Sequence, residues 1–111
     1  MTARIVIKYN HLPQLAKRLP EVVGSLVRKA AYDIEAHAKS IVPVDTGKLK
    51  NSITSEFPSQ TKAIVAPHTD YATYVEYGTR KQRAKPYMRP AAEKVAPAFI
   101  EACRRLEERL I

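Results

Sequence analysis

From Glu21 to Ile41 the apolar residues Val23, Leu26, Val27, Ala30, Ile34, Ala38 and Ile41 recur every three or four positions, with Arg28, Lys29, Asp33, Glu35 and Lys39 mainly opposite. That period predicts a long amphipathic helix with one face turned to a core. Pro20 fits its first turn, where a missing N–H costs nothing. Pro43 disfavours helical geometry at Val42 and so sets the end. Gly24 weakens the helix by roughly 1 kcal/mol relative to Ala, which a face of this length absorbs. Before it, Arg4 to Tyr9 alternates charged and β-branched residues and predicts a short strand. Asn10 can cap a short helix marked by Leu12, Leu15, Ala16 and Leu19.

After Pro43 the pattern shortens. Asp45 or Thr46 offers an N-cap for a turn that buries Leu49, and Ile53 with it, while Lys48 and Lys50 stay wet. Asn51 to Phe57 alternates, with Ile53, Ser55 and Phe57 on one face; Pro58 to Gln60 then predicts a turn. Lys62 to Ala66 returns as a second strand, making a hairpin that Pro67 closes. Tyr71, Tyr74, Val75 and Gly78 have the spacing of one helical face ended by a glycine, which favours helix over strand there and points the aromatic residues inward. From Pro90 onward, Ala92, Val95, Phe99, Cys103 (or Ala102), Leu106 and Leu110 advance in helical steps. Pro97 interrupts them and predicts a kink or a split near Val95. Two main helices and a small antiparallel sheet make an α+β domain, and 111 residues suffice for one such core.

Between the glycine and the last helix the chain changes character. Arg80, Lys81, Arg83, Lys85 and Arg89 crowd together with no apolar period, and only Pro86 stiffens the backbone. This stretch reads as a long basic loop that orders on contact with something else, with Tyr87 and Met88 as anchors back to the domain. Formal net charge is +8, which draws polyanions or acidic proteins. Three readings of the loop stand: a solvated loop, a grip on nucleic-acid phosphates, or a contact with an adjacent protein subunit. Glu76 is either a solvated helix residue or one half of an ion pair, with Arg80 or with an arginine of a neighbouring subunit.

Candidate chemistry is sparse. Asp45-Thr46-Gly47 repeats the triplet of aspartic proteases, whose aspartate lies at the end of a buried strand and is paired with a symmetry mate. Here the triplet follows a helix and a proline and precedes Lys48-Leu49-Lys50, so a capping turn is the better reading. His11, His37 and His68 share no metal-ligand spacing with each other or with Cys103, and three glycines form no phosphate loop. The pattern therefore predicts no enzyme and no cofactor. A lone cysteine permits no internal disulfide, and MTARIVIKYNH lacks the apolar run of a signal peptide, so a soluble chain made in a cytosol is expected.

Three blocks resemble the phage tail-component family typified by the tenth gene product of phage Hong Kong 97. They are Val42-Pro43-Val44-Asp45-Thr46-Gly47 with Leu49, Lys50, Ser52 and Ile53; Tyr71-Ala72 with Tyr74-Val75-Glu76-Tyr77-Gly78-Thr79; and Pro86-Tyr87-Met88 with Pro90 and Ala91. Tyr77 and Tyr87 stand where phenylalanine is common in the family. The resemblance implies a structural, non-catalytic neck or tail-completion protein that forms a ring around the DNA path. Its implied partners are its own copies, the head-side connector and tail proteins, with non-specific contact to genomic DNA and none to membrane. Its implied place is the virion neck, after assembly in the host cytoplasm. Glu76, Thr79, Arg80, Lys81, Arg83, Lys85 and Tyr87 are the expected contact residues. Pro43, Asp45, Thr46, Gly47, Leu49, Tyr71, Tyr74, Val75, Gly78 and Pro90 are the expected structural motif.

Overall fold

A computed structural model describes residues 3–43 and 47–110. In chain order the elements are β1 (Ile5–Val6), α1 (Leu12–Arg18), α2 (Pro20–Ile41), α3 (Gly47–Ser52), β2 (Thr54–Ser59), β3 (Lys62–Ala66), α4 (Ala72–Tyr77) and α5 (Met88–Arg109). The architecture is α+β, as the sequence predicts. The sheet is antiparallel in the order β1-β3-β2, with Ile5 opposite Val65 and Ser55 opposite Val65 from the other side. Central β3 alternates as a half-buried strand must: Ala63 and Val65 are buried, while Ile64 and Ala66 turn to the other face.

The long helix runs as its period requires, and Val23, Val27, Ala30, Ala31, Ile34 and Ala38 are buried against the sheet and α5. Each fully buried valine or isoleucine contributes about 1.5–3 kcal/mol relative to exposure. Leu26 is only partly buried and Ile41 is 40% exposed, so the covered stripe is narrower than the apolar period. Helix α1 buries Leu12 and Leu15, but its flanking residue is His11, not Asn10, and no side chain caps it. The first amide is served instead by a turn, Leu12 N–H donating to Tyr9 O at 3.0 Å.

Two boundaries differ from the sequence reading. Asn51 and Ser52 complete α3, so β2 begins at Thr54; Leu49 and Ile53 are fully buried and fix that entry. Pro58 lies within β2, and the turn falls at Gln60–Thr61. A proline is tolerated there because β2 is an edge strand whose register shifts between Glu56 and Ser59. The predicted face holds: Ser55 donates to Glu35 of α2 at 2.8 Å, and Phe57 meets Tyr32 edge-on at 5.4 Å. The predicted cap residues Asp45 and Thr46 lie outside the described residues.

Helix α5 starts two residues before Pro90 and passes through Pro97 without a break. Its buried Met88, Ala91, Phe99 and Cys103 pack along α2, which holds the helix together where one backbone hydrogen bond is missing. Because Pro97 is exposed, Pro97→Ala is expected to restore that bond and stabilise the fold by about 1–3 kcal/mol. Thermal unfolding checks this, and an unchanged or lowered midpoint would contradict it. Burial raises the Cys103 thiol to about 11, the signature of an inert packing cysteine. Among the described residues no helix is long and apolar enough to cross a membrane.

Candidate functional site

Helix α4 is a single short stretch, and what surrounds it decides what it does. Its first turn is closed by the loop before it, with Ala72 N–H donating to Thr69 O at 3.3 Å and Val75 N–H to Tyr71 O at 3.2 Å. Its buried residues are Ala72 and Glu76. Tyr71 and Val75 are partly buried, whereas Tyr74 is 61% exposed and Tyr77 46% exposed. The aromatic face predicted to point inward is thus turned by about one residue. Alanine and a carboxylate, not the tyrosines, meet the body of the protein.

The reason lies in the next helix. Glu76 is 4% exposed and its carboxylate accepts three backbone N–H groups: Tyr87 at 3.0 Å and Met88 at 2.8 Å on Oε1, and Arg89 at 3.2 Å on Oε2. A helix start leaves four donors without internal partners. In α5 the fourth position is Pro90, which has no N–H at all. One carboxylate and one proline therefore settle the whole helix start. The negative charge also sits at the positive end of the α5 dipole. Tyr87, the residue before α5, has no capping side chain of its own. Glu76 is thus neither solvated nor, among the described residues, paired with Arg80.

Tyr87 is likewise inside the body. It is fully buried, and its hydroxyl donates to Ala72 O at 3.1 Å, so the two ends of the basic stretch are tied together by both of its bonds to α4. Burial, and then the Glu76 charge, push its phenol well above the usual range. While these bonds hold, Glu76 and Tyr87 cannot serve as outward contacts. Of the two roles read for Tyr87, anchor and contact, the structure displays the anchor.

Between these ties the chain makes a tight, closed turn. Gly78 ends α4 at φ +80°, and its N–H donates to Tyr74 O at 2.8 Å. Thr79 Oγ1 accepts from Lys81 N–H at 3.2 Å and Gln82 N–H at 3.1 Å, while Thr79 N–H donates to Gln82 O at 2.9 Å. Lys85 N–H then returns to α4 at Val75 O, 2.8 Å away. The basic stretch is a folded turn lying back on the helix before it, not the unstructured loop its composition suggests. Arg80, Lys81, Arg83 and Lys85 are all exposed on it. Their side chains have no ion pair among the described residues, whereas Arg89 at the helix start pairs with Glu93 at 3.0 Å.

A Cβ on Gly78 would lie 2.8 Å from Ala84 N and 3.0 Å from Gln82 O, backbone atoms that cannot move aside. With the positive φ added, Gly78→Ala is expected to cost about 2–3 kcal/mol and to open the turn. Denaturant titration measures the loss; a cost below about 0.5 kcal/mol would contradict the closed geometry.

Sequence reasoning missed a second tie, at the far end of the molecule. Tyr9 Oη donates to Glu107 at 2.9 Å, and the His11 ring bonds the same carboxylate, clasping the N-terminal segment to the end of α5. Those bonds, from His11 first, hold the Glu107 carboxyl below its usual range. Of the other motif residues, Leu49 is fully buried, Gly47 opens α3, and Pro43 ends the described part of the α2–α3 connection. Groups of three or more metal-ligating side chains are not found among the described residues.

The order of these elements, and above all the glycine-stopped helix before the turn, can be set against known families. The pattern of the family described as "Bacteriophage HK97-gp10, putative tail-component" matches residues 9–78. The chain belongs to this family. The match spans more than half of the tail component and runs from Tyr9 through Gly78, so Glu76 lies within it and the basic turn and α5 follow it. No curated protein matches the tail component, and no solved structure does.

Proposed function

We propose that this tail component is a structural subunit of the head–tail neck, assembling as a ring around the DNA path and completing or joining the tail. Family membership supports the tail assignment. The observation that carries the finer reading is the Glu76 clasp, which holds four cations, without ion pairs among the described residues, on a closed turn at one junction of the fold. A pre-organised surface binds without the cost of ordering a loop. Arg80, Lys81, Arg83 and Lys85, presented from Thr79, meet the adjoining head-side or tail protein. Formation and assembly of the subunit take place in the host cytoplasm, and its final place is the virion neck. Catalysis has no part in this role.

The test is replacement of Arg80, Lys81, Arg83 and Lys85 by alanine. The variant is expected to keep the wild-type unfolding midpoint, since the four side chains are exposed, and to lose incorporation into tailed particles at least tenfold. Normal incorporation would overturn the reading.

A second reading, a nucleic-acid-binding module, draws on the absence of any acidic residue from Tyr77 to Ala92. Four phosphate contacts would give a log–log salt slope near about −3.6 for duplex DNA, falling by about one for each cation removed. Weak binding lost by physiological salt favours the neck subunit.

A further inference from the structure

Among the described residues the three-stranded sheet has two free edges, and their chemistry differs. In antiparallel pairing, alternate residues aim their backbone groups at the neighbouring strand. Ile7 N–H bonds Ala63 O, and Ile5 lies opposite Val65, so Val6 and Lys8 direct theirs away from β3. On the opposite side of the sheet the same alternation turns the backbone groups of Ser55 in β2 outward from the ladder, before the register shifts after Glu56. Between β1, α2 and α5 lies an apolar cleft of about 150 Å3, lined by Ile5, Ile7, Ala30, Ile34, Phe99 and Ile100 among others, and Ile100 is 40% exposed.

Charge distinguishes the two edges. Arg4 and Lys8, at either end of β1, are exposed; Glu56 of β2 is exposed on the same face of the sheet, where Val6 and Glu56 both lie opposite Ile64. None of the three has an ion pair among the described residues. Pairing β1 with β1 of another copy would set Arg4 and Lys8 against themselves, and pairing β2 with β2 would set Glu56 against Glu56. Only β1 against β2 brings opposite charges together.

We propose that neighbouring copies of this chain join head to tail, with β1 of one copy beside residues 54–57 of β2 of the next. This inference rests on the ring reading above and names its contact. Both strands run antiparallel to β3, and so parallel to each other, which lets a single rotation repeat the same contact around a ring. The bulge and Pro58 limit the pairing edge of β2 to its first residues, discouraging longer sheets. The incoming β2 brings the half-buried Phe57 ring to the cleft beneath α5.

The experiment uses the full chain at rising concentration, with native mass spectrometry for its oligomers. Equal amounts of 14N- and 15N-labelled protein are mixed and treated with a carbodiimide, which links an amine to a carboxylate in contact. The expected result is Lys8–Glu56 linkage between labelled and unlabelled copies. Val6→Pro removes an N–H that faces away from β3, so it should keep the monomer's circular dichroism while weakening self-association at least tenfold. Glu56→Lys should weaken it similarly, and adding Arg4→Glu and Lys8→Glu to that chain should restore it. Oligomers that survive Val6→Pro and Glu56→Lys unchanged would overturn the edge contact and leave the ring reading standing. A wild-type chain that stays monomeric at every concentration and in isolated necks would overturn both.

Discussion

Glu76→Ala is expected to be the most damaging substitution of a charged residue in this protein, costing about 3–5 kcal/mol in denaturant unfolding. It removes the acceptor for the N–H groups of Tyr87, Met88 and Arg89, two of them buried. Against a total of about 5–15 kcal/mol for a domain of ordinary stability, that brings the fold near its limit. Glu76→Gln should cost less, about 1–2 kcal/mol, because an amide oxygen can still serve Tyr87 and Met88. Its NH2 would then oppose the Arg89 N–H, and the charge at the helix start would be gone. A cost below about 1 kcal/mol for the alanine variant would mean that water or another group satisfies these amides. The acids Glu93, exposed, and Glu101, half-buried, each in surface ion pairs, should by contrast tolerate alanine with changes of only a few tenths of a kcal/mol.

Tyr87→Ala should be comparable, at about 3–5 kcal/mol, since a fully buried aromatic ring is replaced by a cavity. Tyr87→Phe separates the ring from its hydroxyl. It keeps the packing and loses the bond to Ala72 O, with an expected cost of about 1 kcal/mol. Both side chains join α4 to the start of α5, so the double variant Glu76→Ala with Tyr87→Ala should fall short of the sum of the two by about 1 kcal/mol or more. Strict additivity in a double-mutant cycle would show that the two ties act independently.

Much of the fold could be read from local pattern. The long helix and the return of the hairpin follow from periodicity, and the end of α4 follows from Gly78, because each is decided within a few residues of chain. The facing of α4 could not be read in that way. Six residues carry too little period to fix a phase, and the phase is set by Glu76, whose partners are eleven to thirteen residues further on. A signal was present nonetheless. Tyr87-Met88-Arg89-Pro90 opens a helix with no capping side chain and a proline in its first turn, so the helix start needed an acceptor from elsewhere. The basic stretch misled for a different reason. Its composition is that of a disordered segment, but a glycine, a threonine hydroxyl and one return bond to Val75 are enough to close it. The clasp of Tyr9 and His11 on Glu107 spans nearly the whole chain, and no local pattern announces a contact of that separation.

If the Glu76 carboxylate builds the cationic surface in advance, backbone hydrogen exchange on the isolated wild-type chain will report it. The amides of Lys85 and Met88 should exchange at least about a hundredfold more slowly than in an unstructured peptide, and Glu76→Ala should release both. Exchange of Lys85 and Met88 at the free-peptide rate in the wild-type protein would contradict it.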